Sequence, residues 1–226
     1  MAKENLKKKE ALQQEKINET VSKTEQFFNE NKKTIYGALI SILVIGFGIL
    51  AWSKFYAQPR RAEAAAQMYH AEQSFAAGNY ELALNGDDNN PGFVEIADTY
   101  GKMAGEAVYL YAGVSELQTG NYEEAIKYLK KYKGKDHILS ARAQACIGDA
   151  YVGLEDYKTA LGWFEKAAKT SDDIFSAAYL LKAGVTAEKL GDNARALAAY
   201  KQIKDQYPQS VEGMDIDKYI SRIETK

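Results

Sequence analysis

The chain has 226 residues, 46% of them hydrophobic, and a formal net charge of −2. That length holds one ordinary domain and an appendage, and the charge lacks the basic excess of a nucleic-acid-binding protein. A single cysteine, Cys146, excludes an intrachain disulfide scaffold, and only three prolines in a background rich in Ala, Leu, Lys, Glu and Tyr favour helices.

The charges are unevenly spread. Residues 1–33 carry eight lysines and six glutamates, whereas residues 54–226 carry 21 basic and 25 acidic side chains. The tail, residues 1–33, is lysine-rich and is predicted to lie in the cytoplasm, partly helical. Within it Ile17, Val21, Thr24 and Phe28 follow a 4-3-4 spacing, one face of a helix. Two readings of that face stand: a surface for a membrane or partner, and a solvated lead-in.

From Thr34 to Ser53 there is no charged residue. About 20 helical residues at about 1.5 Å each span roughly 30 Å, the thickness of a bilayer core. Lys32, Lys33 and Lys54 flank the stretch, and Tyr36, Trp52 and Tyr56 stand near its ends, where amphipathic rings favour the interface. Residues 34–53 are therefore predicted to cross a membrane and contact its lipid. A cleaved signal peptide fits less well, although Ala51-Trp52-Ser53 offers cleavage spacing, because the charged lead-in is too long. Gly37 and Ser41 form a small-xxx-small pair suited to helix packing. The lysines before the stretch slightly outnumber the basic residues after it, which orients the tail inward and the body outward. Residues 54–61 read as a connector.

Beyond the connector one pattern recurs: Gly78-Asn79-Tyr80, Gly120-Asn121-Tyr122, Glu155-Asp156-Tyr157 and Gly191-Asp192-Asn193. Each is followed by an alanine, at Ala83, Ala125, Ala160 and Ala196. Seven residues before each turn position stands a small residue: Ala71, Gly113, Gly148 and Gly184. Nine residues after it, in the last three copies, stands a large one: Leu129, Phe164 and Tyr200. This periodicity predicts stacked hairpins of helix A, tight turn and helix B. The turn glycines Gly78, Gly120 and Gly191 suit a left-handed backbone at the end of helix A. The small residue and the alanine permit close approach, and the large residue is expected to fill the gap to the next hairpin. The boundaries are 62–210 for the array, with repeat units at about 64–100, 106–138, 141–173 and 177–209. Helix B of the first unit is broken by Asn85 to Gly92 and resumes from Phe93 to Tyr100. Asp87 and Asp88 in that break lack calcium-loop spacing and read as a plain loop. Residues 211–226, with Ile216, Tyr219, Ile220 and Ile223 on one face, read as a capping helix.

These positions resemble the tetratricopeptide repeat family. The family's small, turn, aromatic, alanine and large positions match at Gly113, Gly120, Tyr122, Ala125 and Leu129. They match again at Gly148, Tyr157, Ala160, Phe164 and Ala167, and at Gly184, Gly191, Ala196 and Tyr200, with Pro208 at the inter-repeat proline position. Glu155 and Asn193 depart from the pattern. The resemblance implies an all-α solenoid of helix-turn-helix hairpins, here with one N-terminal transmembrane helix. It also implies a concave groove lined by successive A helices. Mapped onto this chain, the groove candidates are Met68 and Phe75, then Leu110, Val114 and Leu117. They continue with Arg142, Ala145 and Asp149, and with Ala178, Leu181 and Val185. Most are apolar, which suits an apolar segment or a partner helix better than a terminal carboxylate. The other reading is that some of them pack within the array.

No metal-ligand spacing, nucleophile elbow, phosphate loop or dinucleotide fingerprint occurs, and His70 and His137 stand apart from Cys146 in sequence. Cys146 reads as a buried structural thiol. The chain is thus expected to bind proteins without enzymatic activity, metal, cofactor, nucleic acid or small-molecule substrate. Its layout of short basic tail, single span and repeats also resembles the YfgM-like family. That resemblance implies an ancillary subunit of the bacterial Sec translocon at the inner membrane, with a periplasmic repeat domain. Its partners would be translocon subunits, anchored chaperones or unfolded clients. A structural scaffold of an envelope or secretion complex, and a cytosol-facing targeting receptor, are the alternatives.

Overall fold

A computed structural model describes residues 2–225, with the side chains of residues 2–13, 15–21, 23 and 24 outside the description. The chain divides into two compact units, Met1–Gln58 and Pro59–Lys226. In the first, α1 runs over Ala2–Trp52 and gives way to a π-helical turn at Ser53–Ala57, closed by Gln58 N–H donating to the Ser53 carbonyl. Pro59, which follows, has no N–H to donate, a local reason for the ladder to change register. Of the proposed tail stripe, Ile17, Val21 and Thr24 have side chains outside the described residues, and Phe28 is exposed, its ring edge-on to Tyr36 at 6.2 Å. The segment from Thr34 is apolar on every side: Ile40, Leu43, Phe47 and Leu50 are all exposed. With a mean hydropathy of 2.2, this is the one helix among the described residues long and apolar enough to cross a membrane. Trp52 and Tyr56 pair at its C-terminal end with ring centroids 6.1 Å apart. Ser41 donates its hydroxyl to the Gly37 carbonyl at 2.8 Å, so that hydroxyl is satisfied within the helix.

The second unit is a series of antiparallel helix pairs. Helices α2 (Gln58–Ala76) and α3 (Tyr80–Asn85) form the first, followed by α4 (Phe93–Tyr100). Next come α5 (Ala107–Gln118) with α6 (Tyr122–Lys131), α7 (His137–Gly153) with α8 (Tyr157–Ser171), and α9 (Ser176–Lys189) with α10 (Asn193–Gln206). Short α11 (Val211–Met214) and α12 (Ile216–Glu224) end the chain. No strand occurs among the described residues.

The four turns are built alike. In each, the N–H after the turn residue reaches back five residues: Asn79 to Ser74, Asn121 to Glu116, Asp156 to Tyr151 and Asp192 to Ala187, all at 2.9 Å. The turn residue itself donates three residues back, and the following alanine donates to the carbonyl that opens helix B. This is a Schellman closure, and it requires a left-handed turn residue. Gly78, Gly120 and Gly191 have φ of 79°, 84° and 75°, and Glu155 is forced to 59° in the same place. Asp156 and Asp192 go further and cap helix B, accepting from the amides of Thr159 and Arg195 at 3.0 Å.

The helices of a pair meet through a missing side chain. A Cβ on Gly113 would lie 2.5 Å from Leu129, one on Gly148 2.6 Å from Phe164, and one on Gly184 2.2 Å from Tyr200. This corrects one expectation. The large residue of helix B sits first in the hollow over its own hairpin's glycine, because only there is the backbone bare. Phe164 and Tyr200 are almost wholly buried, as are Ala83, Ala125, Ala160 and Ala196. From that hollow the packing spreads along the stack. Leu129 shares one cluster with Ala143 and Ile147 of the next pair, and Phe164 another with Ala177 and Leu180. Burial of such side chains contributes roughly 1.5–3 kcal/mol each.

Two elements differ from the sequence boundaries. Helix α2 starts at Gln58, inside the connector, since proline is tolerated in a first turn. Helix α7 starts at His137, four residues before the assigned third unit, because Asp136 accepts from the Leu139 amide at 2.8 Å and caps it there. In the break after α3, the Asp87 carboxylate accepts from the amides of Asn89 and Asn90 at 2.8 and 2.9 Å. Those bonds hold its pKa below the usual carboxylate value. The loop itself occupies that carboxylate. At the other end Ile216, Ile220 and Ile223 are buried on α10, and Tyr219 stacks near Tyr200 with centroids 5.2 Å apart.

Two outcomes follow for full-length protein in detergent micelles. Glu155→Gly relieves the one of these four hairpin turns that lacks glycine and raises unfolding stability by about 0.5–1 kcal/mol in urea; an unchanged midpoint would refute the strain. Gly184→Ala drives a methyl into Tyr200 and costs about 1–3 kcal/mol. Gly162→Ala on the exposed face of α8, with open space around its Cβ, instead gains about 0.5–1 kcal/mol. Equal signs for these two alanines would refute the close approach.

Candidate functional site

Four of the groove candidates converge. Phe75 from α2, Leu110 and Val114 from α5, and Arg142 from α7 line one cleft of about 290 Å³. Its remaining wall is Glu106, Ala107, Tyr111, Tyr132 and Leu139. Aromatic packing fixes its floor. Phe75 meets Tyr111 at 5.0 Å and Phe93 at 6.3 Å, and Tyr111 stacks on Phe93 at 5.2 Å. Such offset and edge contacts hold rings in single orientations. The polar groups at the rim are of two kinds. Glu106 is already engaged, accepting from the Lys133 amide at 2.7 Å. Arg142 is exposed and has no ion pair among the described residues. The cleft can therefore take an apolar side chain and offer a guanidinium to an adjacent acceptor.

The other candidates lie elsewhere. Met68 is buried against Phe93 and Ile96, and Ala145 is buried beside Leu180, so both belong to the core. Leu117 is half-buried and packs beside Tyr122 and Ala125. Asp149 is tied to Lys182, whose Nζ lies 2.6 Å from Oδ1, so an ion pair bridges α7 and α9 on that stretch. Ala178 and Leu181 are half-buried and Val185 is exposed. Sequence reasoning missed Tyr111 and Leu139. Leu139 was excluded by starting α7 too late; Asp136, a capping residue type just before an apolar run, was the signal for it. Tyr111 lies four residues after Ala107 on the same helical face, visible once the apolar stripe is drawn wider.

Cys146 is partly buried on α7, and burial pushes its thiol up to about 11. Among the described residues no cluster of His, Cys, Asp or Glu could hold a metal ion. His137 Nε2 lies 3.9 Å from a carboxylate oxygen of Asp173.

Comparison with known proteins agrees with the helical-hairpin fold. Tetratricopeptide repeat family models match residues 112–174 and 178–210. The chain thus carries tetratricopeptide repeats, and these indicate a module for protein–protein interaction. The fold is similar to the crystal structure of MamA, at 18% identity and a TM-score of 0.51, over 69% of this chain and 92% of that one. No curated protein sequence matches.

The thiol gives a direct check. With its pKa at about 11, Cys146 is neutral at pH 8 and alkylates slowly with iodoacetamide. Urea exposes it and accelerates labelling by at least about tenfold. Labelling at the denatured rate without urea would show that the thiol is not held in the packed array.

Proposed function

We propose that this protein is a membrane-anchored binding protein that receives apolar segments of other polypeptides in the cleft between α2, α5 and α7. The observation that carries the reading is the aromatic-floored cleft, open at the rim beside Arg142, which forms no ion pair among the described residues. An apolar side chain placed there removes its surface from water at about 25 cal/mol per Å², while backbone or carboxylate oxygens meet the guanidinium. The anchor is the fully apolar helix from Thr34, which costs far less free energy in lipid than exposed to water. Its aromatic pairs at both ends suit the two interfaces.

On the resemblance in layout, we assign the work to protein translocation or chaperoning at a bacterial inner membrane, beside the Sec channel. In this reading the lysine-rich tail stays in the cytoplasm and the repeats face the periplasm. The protein would hold emerging chains rather than alter them chemically. The neutral, partly buried Cys146 and the engaged Asp87 and Asp149 are consistent with binding without catalysis.

A photo-crosslinking residue at Leu139 in living cells tests this directly. Expected are many faint adducts with newly made polypeptides, retained in the membrane after alkaline extraction and reduced at least about fivefold by Phe75→Asp, which buries a charge in the floor. The same crosslinker at exposed Val211 should give few adducts. Equal adducts at both positions, or release of the protein by alkali, would overturn the proposal.

A further inference from the structure

A second cleft lies on the other side of α7, between α6 and α8. It measures about 520 Å³, and three lysines stand around it: Lys130, Lys133 and Lys166. No carboxylate lines it. Among the described residues none of the three lysines forms an ion pair. Two of them meet aromatic side chains instead: Lys166 is 4.7 Å from the Trp163 ring, and Lys130 is 5.7 Å from the Tyr151 ring and donates to its hydroxyl at 3.3 Å. Two acids, Glu106 and Asp136, stand near the lining Tyr132. Each accepts from a backbone amide, of Lys133 at 2.7 Å and of Leu139 at 2.8 Å, and neither forms an ion pair with the three lysines. The floor is apolar, with Ala143 and Ile147 of α7 below half-buried Trp163.

The same architecture recurs one repeat later and supplies an internal comparison. Between α8 and α10, over α9, lies a cleft of about 450 Å³. The step from Ala125 to Ala160 carries Lys130 onto Glu165. Glu165 is paired with Arg195 at 2.6 Å across that second cleft, and Asp172 also lines it. The later cleft is therefore neutralised from within. The earlier one keeps three positive charges on a domain that is acidic as a whole, an arrangement costly in mutual repulsion and complementary to negative charge.

We propose that the cleft between α6 and α8 docks an acidic polypeptide segment, one apolar side chain lying on Trp163 and flanking carboxylates reaching Lys130, Lys133 and Lys166. A polypeptide fits better than a small anion because the apolar floor and indole need an apolar group between the charges. The surface adjoins the cleft at Arg142, with Tyr132 lining both, but Arg142 lines only the other cleft and the three lysines only this one. The proposal does not depend on the function assigned to that other cleft.

Trp163 reports on the site. The chain has two tryptophans, so Trp52→Phe leaves Trp163 alone. In full-length protein in zwitterionic lipid nanodiscs, a peptide of roughly ten residues, Glu and Asp around one central Phe, should shift its emission saturably; the charge contribution is screened as salt rises past about 0.1 M. Lys130→Glu with Lys166→Glu should weaken binding at least tenfold without changing the helical melting curve, whereas Arg142→Ala should leave it unchanged. Replacing the peptide's Phe by Ser should weaken it severalfold. The proposal is overturned if binding survives the double charge reversal, or if it is lost with Arg142→Ala. It is equally overturned if inorganic phosphate, or phosphatidylglycerol nanodiscs without peptide, produce the full Trp163 shift.

Discussion

The second unit depends on one repeated contact, a large side chain seated on a glycine backbone. Leu129 on Gly113, Phe164 on Gly148 and Tyr200 on Gly184 each fill the space a Cβ would occupy. The contact sets how near helix B lies to helix A. That distance sets which face of each pair is left to bury against the next, since interiors are packed too tightly to absorb an added methyl. Tyr200 shows how far the arrangement reaches. Its ring is buried over Gly184, while its hydroxyl donates to Glu188 at 2.7 Å, and Glu188 also meets Arg222 of α12. Burial first, and then Glu188, hold that phenol above its ordinary pKa. The cap is thus joined to the last hairpin through the same residue that spaces it.

The turns carry a second constraint, which is local. Four closures with matching hydrogen bonds reverse the chain in the same way, whatever residue stands at the turn. Glu155 adopts the left-handed conformation without being glycine because the bonds around it and the packing of α7 on α8 over-determine that geometry. Repetition of one turn and one spacing places clefts of similar construction at successive junctions. Function then lies in what the repeats do not share. At one junction Glu165 and Arg195 close on each other; at the preceding one Lys130 stands where Glu165 would be. On the opposite side Asp149 and Lys182 bridge α7 to α9, while Arg142, earlier on α7, has no ion pair among the described residues.

Much of this was legible in the sequence. The apolar run from Thr34 has no charge for its whole length, so its solvent preference is a property of composition alone. The glycine and alanine spacings predicted the hairpins, because helix geometry makes residues at fixed offsets face one partner. The sequence-derived groove was less complete. Phe75, Leu110, Val114 and Arg142 come together, but Met68 and Ala145 sink into the core, where α4 and α9 cover them. The fourth helix, Phe93–Tyr100, covers Met68 only because the broken loop at Gly86 and Pro91 folds it back, and no repeat pattern specifies that fold.

What the sequence determined by itself was therefore the local and periodic part: the membrane-length helix, the number and spacing of hairpins, and the residue types at each turn. These follow from backbone conformational preference and from a helical repeat that relates neighbours along the chain. Only the tertiary structure decided which charges neutralise each other and which apolar side chains remain open. Those outcomes depend on pairs such as Glu165 with Arg195 and Asp149 with Lys182, about thirty residues apart in sequence. The helix periodicity places each partner on a face, but only the packing of one hairpin on the next brings the two faces within reach.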